Sequence, residues 1–263
     1  MKNKKSLGQH WLYNREILNE IALIASGEAS EGSAYDFAEK TGVETCLEIG
    51  PGLGTLTASL LKRFKRVIAV EFDENLANNL PKSFPGTSLE VVNEDILKYD
   101  FSSIKEPYVV VGNIPYYITS PIIEKVLTVA NLPKRVVLLI QKEVAERILD
   151  EKESVLSLFV KNRAKVFPGP VVLKEEFTPP PKVDSQVIIL EPKAPEVSED
   201  VFVLIRKGFL APRKKLVSNL KSMWPKERLE EIFSELEIDL NARPADLHLS
   251  DWQNLYQKLQ NKT

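Results

Sequence analysis

Cysteine is almost absent from this chain of 263 residues: Cys46 stands alone, which excludes a disulfide framework and any cysteine-rich metal site. It sits inside the apolar run Thr45-Cys-Leu-Glu-Ile49, where a small buried hydrophobe is expected rather than a nucleophile. Histidine is nearly as scarce. His10 and His248 are too far apart in sequence to suggest a zinc pair, so no metal site is expected. No apolar stretch approaches the roughly 18 residues that a membrane span requires, and no membrane association is expected. The opening Met1-Lys-Asn-Lys-Lys-Ser6 is basic but is followed by no apolar segment, unlike a secretory leader. A soluble protein in a reducing, cytoplasmic setting is therefore expected. Large net charge is also missing: the total is −2, which argues against a uniformly basic nucleic-acid binder.

What is present divides into two rhythms. From Thr45 to about Leu190, short apolar runs alternate with amphipathic stretches. The runs are Thr45–Gly50, Arg66–Phe72, Ser88–Glu94, Tyr108–Asn113, Arg135–Gln141, Ala164–Phe167 and Val183–Leu190. Helix-length stretches such as Leu53–Phe64, Ser120–Ala130 and Lys142–Leu149 lie between them. That alternation predicts βαβ units around a mostly parallel seven-stranded sheet, an α/β fold, with the last two strands as an antiparallel edge hairpin. Glu191-Pro-Lys-Ala-Pro-Glu-Val-Ser198 reads as a linker. Beyond it the pattern is helical only, roughly 199–210, 213–223, 226–237 and 250–260. Charge is segregated there. Between Val201 and Arg228, eight basic residues, among them Arg213, Lys214 and Lys215, face Glu227 alone. Such segregation suits an anionic partner, the plainer alternative being a solvated helical face.

A nucleotide site is readable along the first four strands. Glu48-Ile-Gly50-Pro-Gly52-Leu-Gly54 follows the first strand and opens a helix, allowing a tight turn and close approach of a ligand to the backbone. Its spacing is not the Gly-x-Gly-x-x-Gly of dinucleotide enzymes, which ranks NAD lower, and no Gly-Lys-Ser/Thr follows. Glu71, 21 residues after Gly50, ends the second strand where an acid can grip two ribose hydroxyls. Asp95 and Ile96 close the third, placing a carboxylate and an apolar wall where an adenine could lie. Asn113 ends the fourth. Open α/β sheets bind ligands at these carboxyl ends. The Asn113-Ile-Pro115-Tyr116 turn offers a side-chain amide, a proline-stiffened carbonyl and an aromatic ring. Asn113 and the Pro115 carbonyl can accept from an exocyclic amino group, while Tyr116 stacks on its ring. An adenosine-bearing cofactor beside such a turn points to S-adenosylmethionine.

Several segments resemble the small-subunit ribosomal RNA adenine dimethyltransferase family (the KsgA type), with the Erm methyltransferases as cousins. They are Ser6-Leu-Gly-Gln-His-Trp-Leu12, Leu47-Glu-Ile-Gly-Pro-Gly-Leu-Gly54, Gly112-Asn-Ile-Pro-Tyr116, Gln141-Lys-Glu-Val-Ala-Glu-Arg147 and Phe177-Thr-Pro-Pro-Pro-Lys-Val-Asp-Ser185, followed by Arg213-Lys-Lys-Leu216 and Arg243-Pro-Ala-Asp-Leu247. The resemblance implies a Rossmann-like class I methyltransferase domain over 1–192 and a small helical RNA-contacting domain over 197–263. It implies that 1–26 closes over the cofactor. Gln9, His10, Leu12, Gly50, Gly52, Glu71, Asp95, Ile96 and Asn113 are its implied cofactor contacts. Tyr116 and Phe177 are implied to enclose the target base, although Phe177 by itself reads as a loop hydrophobe anchoring a proline-rich turn. The basic triplet is assigned to RNA. The implied activity is dimethylation of adenine N6 by direct displacement on the sulfonium, at two adjacent adenosines near the 3′ end of 16S RNA, linked to ribosome biogenesis. A small-subunit precursor is the implied partner and a monomer the expected state. An Erm-type enzyme on large-subunit RNA and a non-catalytic assembly factor are the alternatives.

Four features depart from that pattern. Trp11 stands where Phe is usual, and Gly27–Thr41 is longer than is common. Leu149-Asp-Glu-Lys-Glu-Ser-Val155 is short and acidic where a Tyr-Gly-Arg-Leu-Ser loop is usual. His248 stands where a capping Ser is usual, with Ser250 and Gln253 offering a capping box.

Overall fold

The computed structural model describes residues 10–28 and 41–260. Its elements run β1 (Trp11–Leu12), α1 (Arg15–Ser26), β2 (Thr45–Ile49), α2 (Thr57–Leu60), β3 (Arg66–Glu71), α3 (Glu74–Ser83), β4 (Leu89–Asn93) and β5 (Tyr108–Asn113). Next come α4 (Thr119–Val126), β6 (Arg135–Gln141), α5 (Lys142–Leu149), α6 (Val155–Arg163), β7 (Ala164–Val172), β8 (Phe177–Thr178) and β9 (Ser185–Pro192). The chain ends in α7 (Glu199–Gly208), α8 (Leu216–Leu220), α9 (Lys226–Glu235) and α10 (Leu249–Gln260).

Seven strands form one sheet in the order β4-β3-β2-β5-β6-β9-β7. The pairs β3–β4, β2–β3, β2–β5 and β5–β6 are parallel, and β9 runs antiparallel to β6. This is the mixed sheet that the alternating runs predict. Strands β2, β5 and β6 are buried almost throughout, which is why they read as unbroken apolar runs rather than alternating ones. The order reverses between β2 and β5, whose register pairs Ile49 with Gly112. Gly50 and Asn113, the next residues along, therefore leave neighbouring strand ends at the topological switch point.

One face of the sheet, through Val67, Val109, Val111, Val137, Leu139 and Val187, packs with α1 and α2 residues Leu18, Ile21, Ile24 and Leu60. Helix α1 begins at Asn14, whose side chain accepts from the N–H groups of Glu16 and Ile17, and ends at Gly27 in a left-handed conformation. Strand β1 pairs antiparallel with β8, Trp11 opposite Thr178 and Leu12 opposite Phe177.

Contacts divide the chain into two compact units: 1–145 with 165–192, and 146–164 with 193–263. Residues 146–164 group with 193–263, and the alternating pattern does not mark this, because Val155–Arg163 looks like one more helix of the series. Within the second unit the short acidic loop is tied down. Glu153 N–H donates to the Ala245 carbonyl at 2.9 Å, Lys161 Nζ bonds the Asp150 carbonyl at 2.7 Å, and Lys152 pairs with Asp246. Helix α10 is capped by Asp251, whose Oδ2 accepts from the His248 N–H at 2.9 Å. The expected Ser250–Gln253 box does not form, and Gln253 Oε1 is buried without a hydrogen-bond partner.

Candidate active site

A cavity of about 260 Å³ opens at the carboxyl ends of β2, β3, β4 and β5. Gly50, Gly52, Glu71, Asp95, Ile96, Asn113, Pro115 and Tyr116 all line it, with His10 and Trp11 from the N-terminal segment. Both glycines have positive φ, 63° and 58°. At Gly50 a side chain would meet nothing within 4 Å, so the turn leaves open the volume a ligand needs; at Gly52 it would stand 3.1 Å from Trp11 Nε1.

Glu71 organises this turn. Its Oε2 accepts from Gly52 N–H at 3.0 Å and its Oε1 from Asp73 N–H at 2.8 Å. Burial pushes its carboxyl above the ordinary range, while those two N–H bonds work to hold it down. Asp73 caps α3, accepting from Asn75 and Leu76, so one turn serves helix and site together. Deeper in, Glu48 is fully buried and accepts from Thr57 Oγ1 at 2.6 Å. Burial, opposed by the Thr57 bond and assisted by the nearby Glu71 charge, pushes its pKa up to about 8. Asp95 spends one oxygen on the Leu97 N–H at 3.0 Å.

At the reactive end, Asn113 Nδ2 donates to the His10 carbonyl at 3.1 Å. That bond commits the amide nitrogen and makes Oδ1 the acceptor end of the side chain. The Pro115 carbonyl already accepts from Ile118 N–H at 3.2 Å, closing a short 3₁₀ turn; a carbonyl has a second lone pair for another donor. Tyr116 OH shares a hydrogen bond with Ser185 Oγ at 2.7 Å, which fixes the ring. Burial raises its phenol pKa, with the Ser185 bond opposing.

Three expectations need correction. Phe177 is 2% exposed and belongs to the core beneath α1, not to the cavity, so it does not face Tyr116 across a base site. Leu12 is 1% exposed in the same core; alternation along β1 turns Trp11, not Leu12, into the cavity. Gln9 lies outside the described residues. Arg213, Lys214 and Lys215 are exposed in the second unit, in the turn before α8 rather than inside a helix.

Sequence reasoning missed other lining residues. Phe72 (65% exposed) and Tyr117 (64%) line the cavity beside Glu71 and Tyr116, where only adjacency to a predicted site residue could have flagged them. Asn93 Nδ2 donates to the carbonyls of Glu71 (2.8 Å) and Phe72 (3.3 Å), tying the end of β4 to the turn after β3. Among the described residues, no group of three or more His, Cys, Asp or Glu is placed to hold a metal ion.

The sheet order, the glycine turn with its buried acid, and the Asn-Ile-Pro-Tyr turn beside it define a class I S-adenosylmethionine-dependent methyltransferase. Comparison with known proteins narrows this. The family described as ribosomal RNA adenine dimethylase matches residues 1–261. Ribosomal RNA small subunit methyltransferase A of Picosynechococcus sp. is 35% identical over 280 residues, covering 98% of each chain. The protein of the same name from Mycoplasmopsis pulmonis is 34% identical over 98% of this chain and 100% of its own. Among solved structures, a dimethyladenosine transferase from Plasmodium falciparum superposes with TM-score 0.75 at 30% identity, covering 95% of this chain and 97% of that one. The 23S rRNA methyltransferase ErmE gives 0.72 at 26% identity, covering 95% and 100%. This chain belongs to the ribosomal RNA adenine dimethylase family.

Proposed function

We propose that this chain dimethylates adenine N6 in small-subunit ribosomal RNA, with S-adenosylmethionine as methyl donor. The observation that carries the reading is the continuity of one cavity from the Gly50–Glu71–Asp95 end to the Asn113–Tyr116 end. The residues fit the cofactor: an open glycine turn, a buried acid for ribose hydroxyls, and Asp95 with Ile96 for an adenine. When bound, the cofactor supplies an electrophilic sulfonium methyl.

The chain's own task is the nucleophile. An adenine amino nitrogen is delocalised into its ring, and hydrogen bonds from it to Asn113 Oδ1 and the Pro115 carbonyl favour the pyramidal, attacking form. Fixing two reactants in one geometry can supply about 7 kcal/mol or more. Extracting the base from its stack costs a few kcal/mol. One stack, on Tyr116, returns about 1–3 kcal/mol. With Phe177 in the core, the balance falls to the Asn113 and Pro115 bonds and to phosphate contacts, for which Arg213, Lys214 and Lys215 are the proposed source.

The small-subunit target follows the curated relatives, both named as small-subunit enzymes. The ErmE likeness leaves a large-subunit target as the second reading, since the two structural neighbours superpose almost equally well. An intact cavity weighs against a purely non-catalytic assembly factor. We further propose action as a monomer on a small-subunit precursor in the cytoplasm. Transfer of labelled methyl from S-adenosylmethionine to unmodified small-subunit and large-subunit particles, assayed side by side, tests the choice. Label in the small-subunit RNA supports the proposal; label confined to the large subunit overturns it.

A further inference from the structure

We propose that His10 is a positioning residue for methyl transfer, acting through Asn113; this rests on the function proposed above. His10 meets two residues of the reactive end, Asn113 and Tyr116, and one outside it, Pro179. Its backbone carbonyl accepts from Asn113 Nδ2 at 3.1 Å. Its Nδ1 lies 2.7 Å from the Pro179 carbonyl. Its ring lies 6.0 Å from that of Tyr116, the planes inclined by 20°. A carbonyl can only accept, so Nδ1 carries the hydrogen.

The chemistry of these contacts separates a holding role from a base-enclosing one. A base lying between two rings needs about 3.5 Å on each side, about 7 Å in all. The observed 6.0 Å is too close. In this conformation His10 occupies one face of Tyr116 rather than framing a base slot. What His10 does supply is a fixed carbonyl. The pairing of Trp11 with Thr178 in β8 and the Nδ1–H bond to Pro179, the next residue, anchor it at two points. The anchored carbonyl then holds Asn113 with its nitrogen engaged. Without it the amide can rotate and present NH₂, a donor, to an amino group that must itself donate.

The contacts predict how two substitutions differ. His10→Asn places an amide N–H donor at the δ position that Nδ1 occupies and removes the ring. His10→Phe keeps a ring and removes the donor. With unmodified small-subunit particles and saturating S-adenosylmethionine, His10→Phe should lower the single-turnover rate by about tenfold or more, since misplacement of about 1 Å can cost 10²-fold. His10→Asn should be impaired at least about threefold less than His10→Phe. The effect should also vanish in an Asn113→Ala background, where His10→Phe should cost less than about twofold, because residues that act as a unit are non-additive. Full additivity with Asn113→Ala, wild-type rates for His10→Phe, or equal impairment of His10→Asn and His10→Phe would each overturn the proposal. Wild-type protein that methylates no adenine is a different result, and it overturns the proposed function instead.

Discussion

Replacing Glu71 by Gln takes one acceptor away from a carboxylate that serves two backbone donors at once. Oε2 receives the Gly52 N–H at 3.0 Å and Oε1 the Asp73 N–H at 2.8 Å. An amide has one oxygen, so in Glu71→Gln whichever way the side chain turns, its NH₂ faces an N–H. Glu71 is 6% exposed, which leaves little room for water to repair the mismatch. One buried backbone donor without a partner costs about 1–3 kcal/mol of stability. Losing a charged acceptor for ribose hydroxyls costs about 1.5–3 kcal/mol of cofactor binding. That is about a 10- to 150-fold increase in Kd. Urea unfolding measures the first and calorimetric titration with S-adenosylmethionine the second. A variant with unchanged stability and a Kd within about twofold of wild type would refute the role given to Glu71, however well it folds. If NAD bound the wild-type protein more tightly than S-adenosylmethionine, the reading of the glycine turn would fail as well.

Other outcomes follow from the same geometry. Glu48 is buried with its pKa pushed from 4.5 to about 8, so between those values the native state holds a proton that the unfolded chain has lost. Stability should fall as pH rises through that window, by up to about 1.4 kcal/mol per unit. Glu48→Gln cannot titrate, so its stability relative to wild type should grow from about pH 5 to about pH 8; a difference that stays flat contradicts the assignment. Gly52→Ala places a Cβ 3.1 Å from Trp11 Nε1 at a φ of +58°, and the melting temperature and cofactor affinity should both fall. The backbone share of that cost is about 1–2 kcal/mol, and an unchanged melt would contradict it. Replacing Arg213, Lys214 and Lys215 by Ala should weaken RNA binding at every sequence and flatten its salt dependence, by about 0.7–0.9 of a log–log slope per lost phosphate contact. An unchanged slope would make the cluster a solvated surface.

The centre of the sheet was legible because β2, β5 and β6 are buried on both faces and so appear as continuous apolar runs; all three fall within a residue of the runs that predict them. Gly50, Glu71, Asp95 and Asn113 were legible for a related reason: a polar residue or glycine directly after such a run stands at a strand end, and strand order brings these ends together. What failed lies where short segments meet from distant parts of the chain. Strand β1 is only two residues long, and which of Trp11 and Leu12 faces the cavity depends on its pairing with Phe177–Thr178, 166 residues away between Trp11 and Phe177. No local pattern encodes that register, so Leu12 and Phe177 were assigned to a site from which the α1 core withdraws them. Helix α8 is shorter than the predicted 213–223, since 211–214 turns instead, Lys214 N–H bonding the Ala211 carbonyl at 2.9 Å. The Asn113–His10 hydrogen bond had no sequence signal at all.

The most direct test of the central claim is the identity of the product and its dependence on one side chain. Unmodified small-subunit particles are incubated with S-adenosylmethionine and either wild-type protein or Asn113→Ala, and the RNA is digested to nucleosides for mass spectrometry. Wild type should yield N6,N6-dimethyladenosine. Asn113→Ala should yield it at least about 10²-fold more slowly, the scale for losing one oriented transition-state contact, while calorimetry shows that it still binds the cofactor. Absence of dimethyladenosine with wild type, or its undiminished formation by Asn113→Ala, would contradict the account.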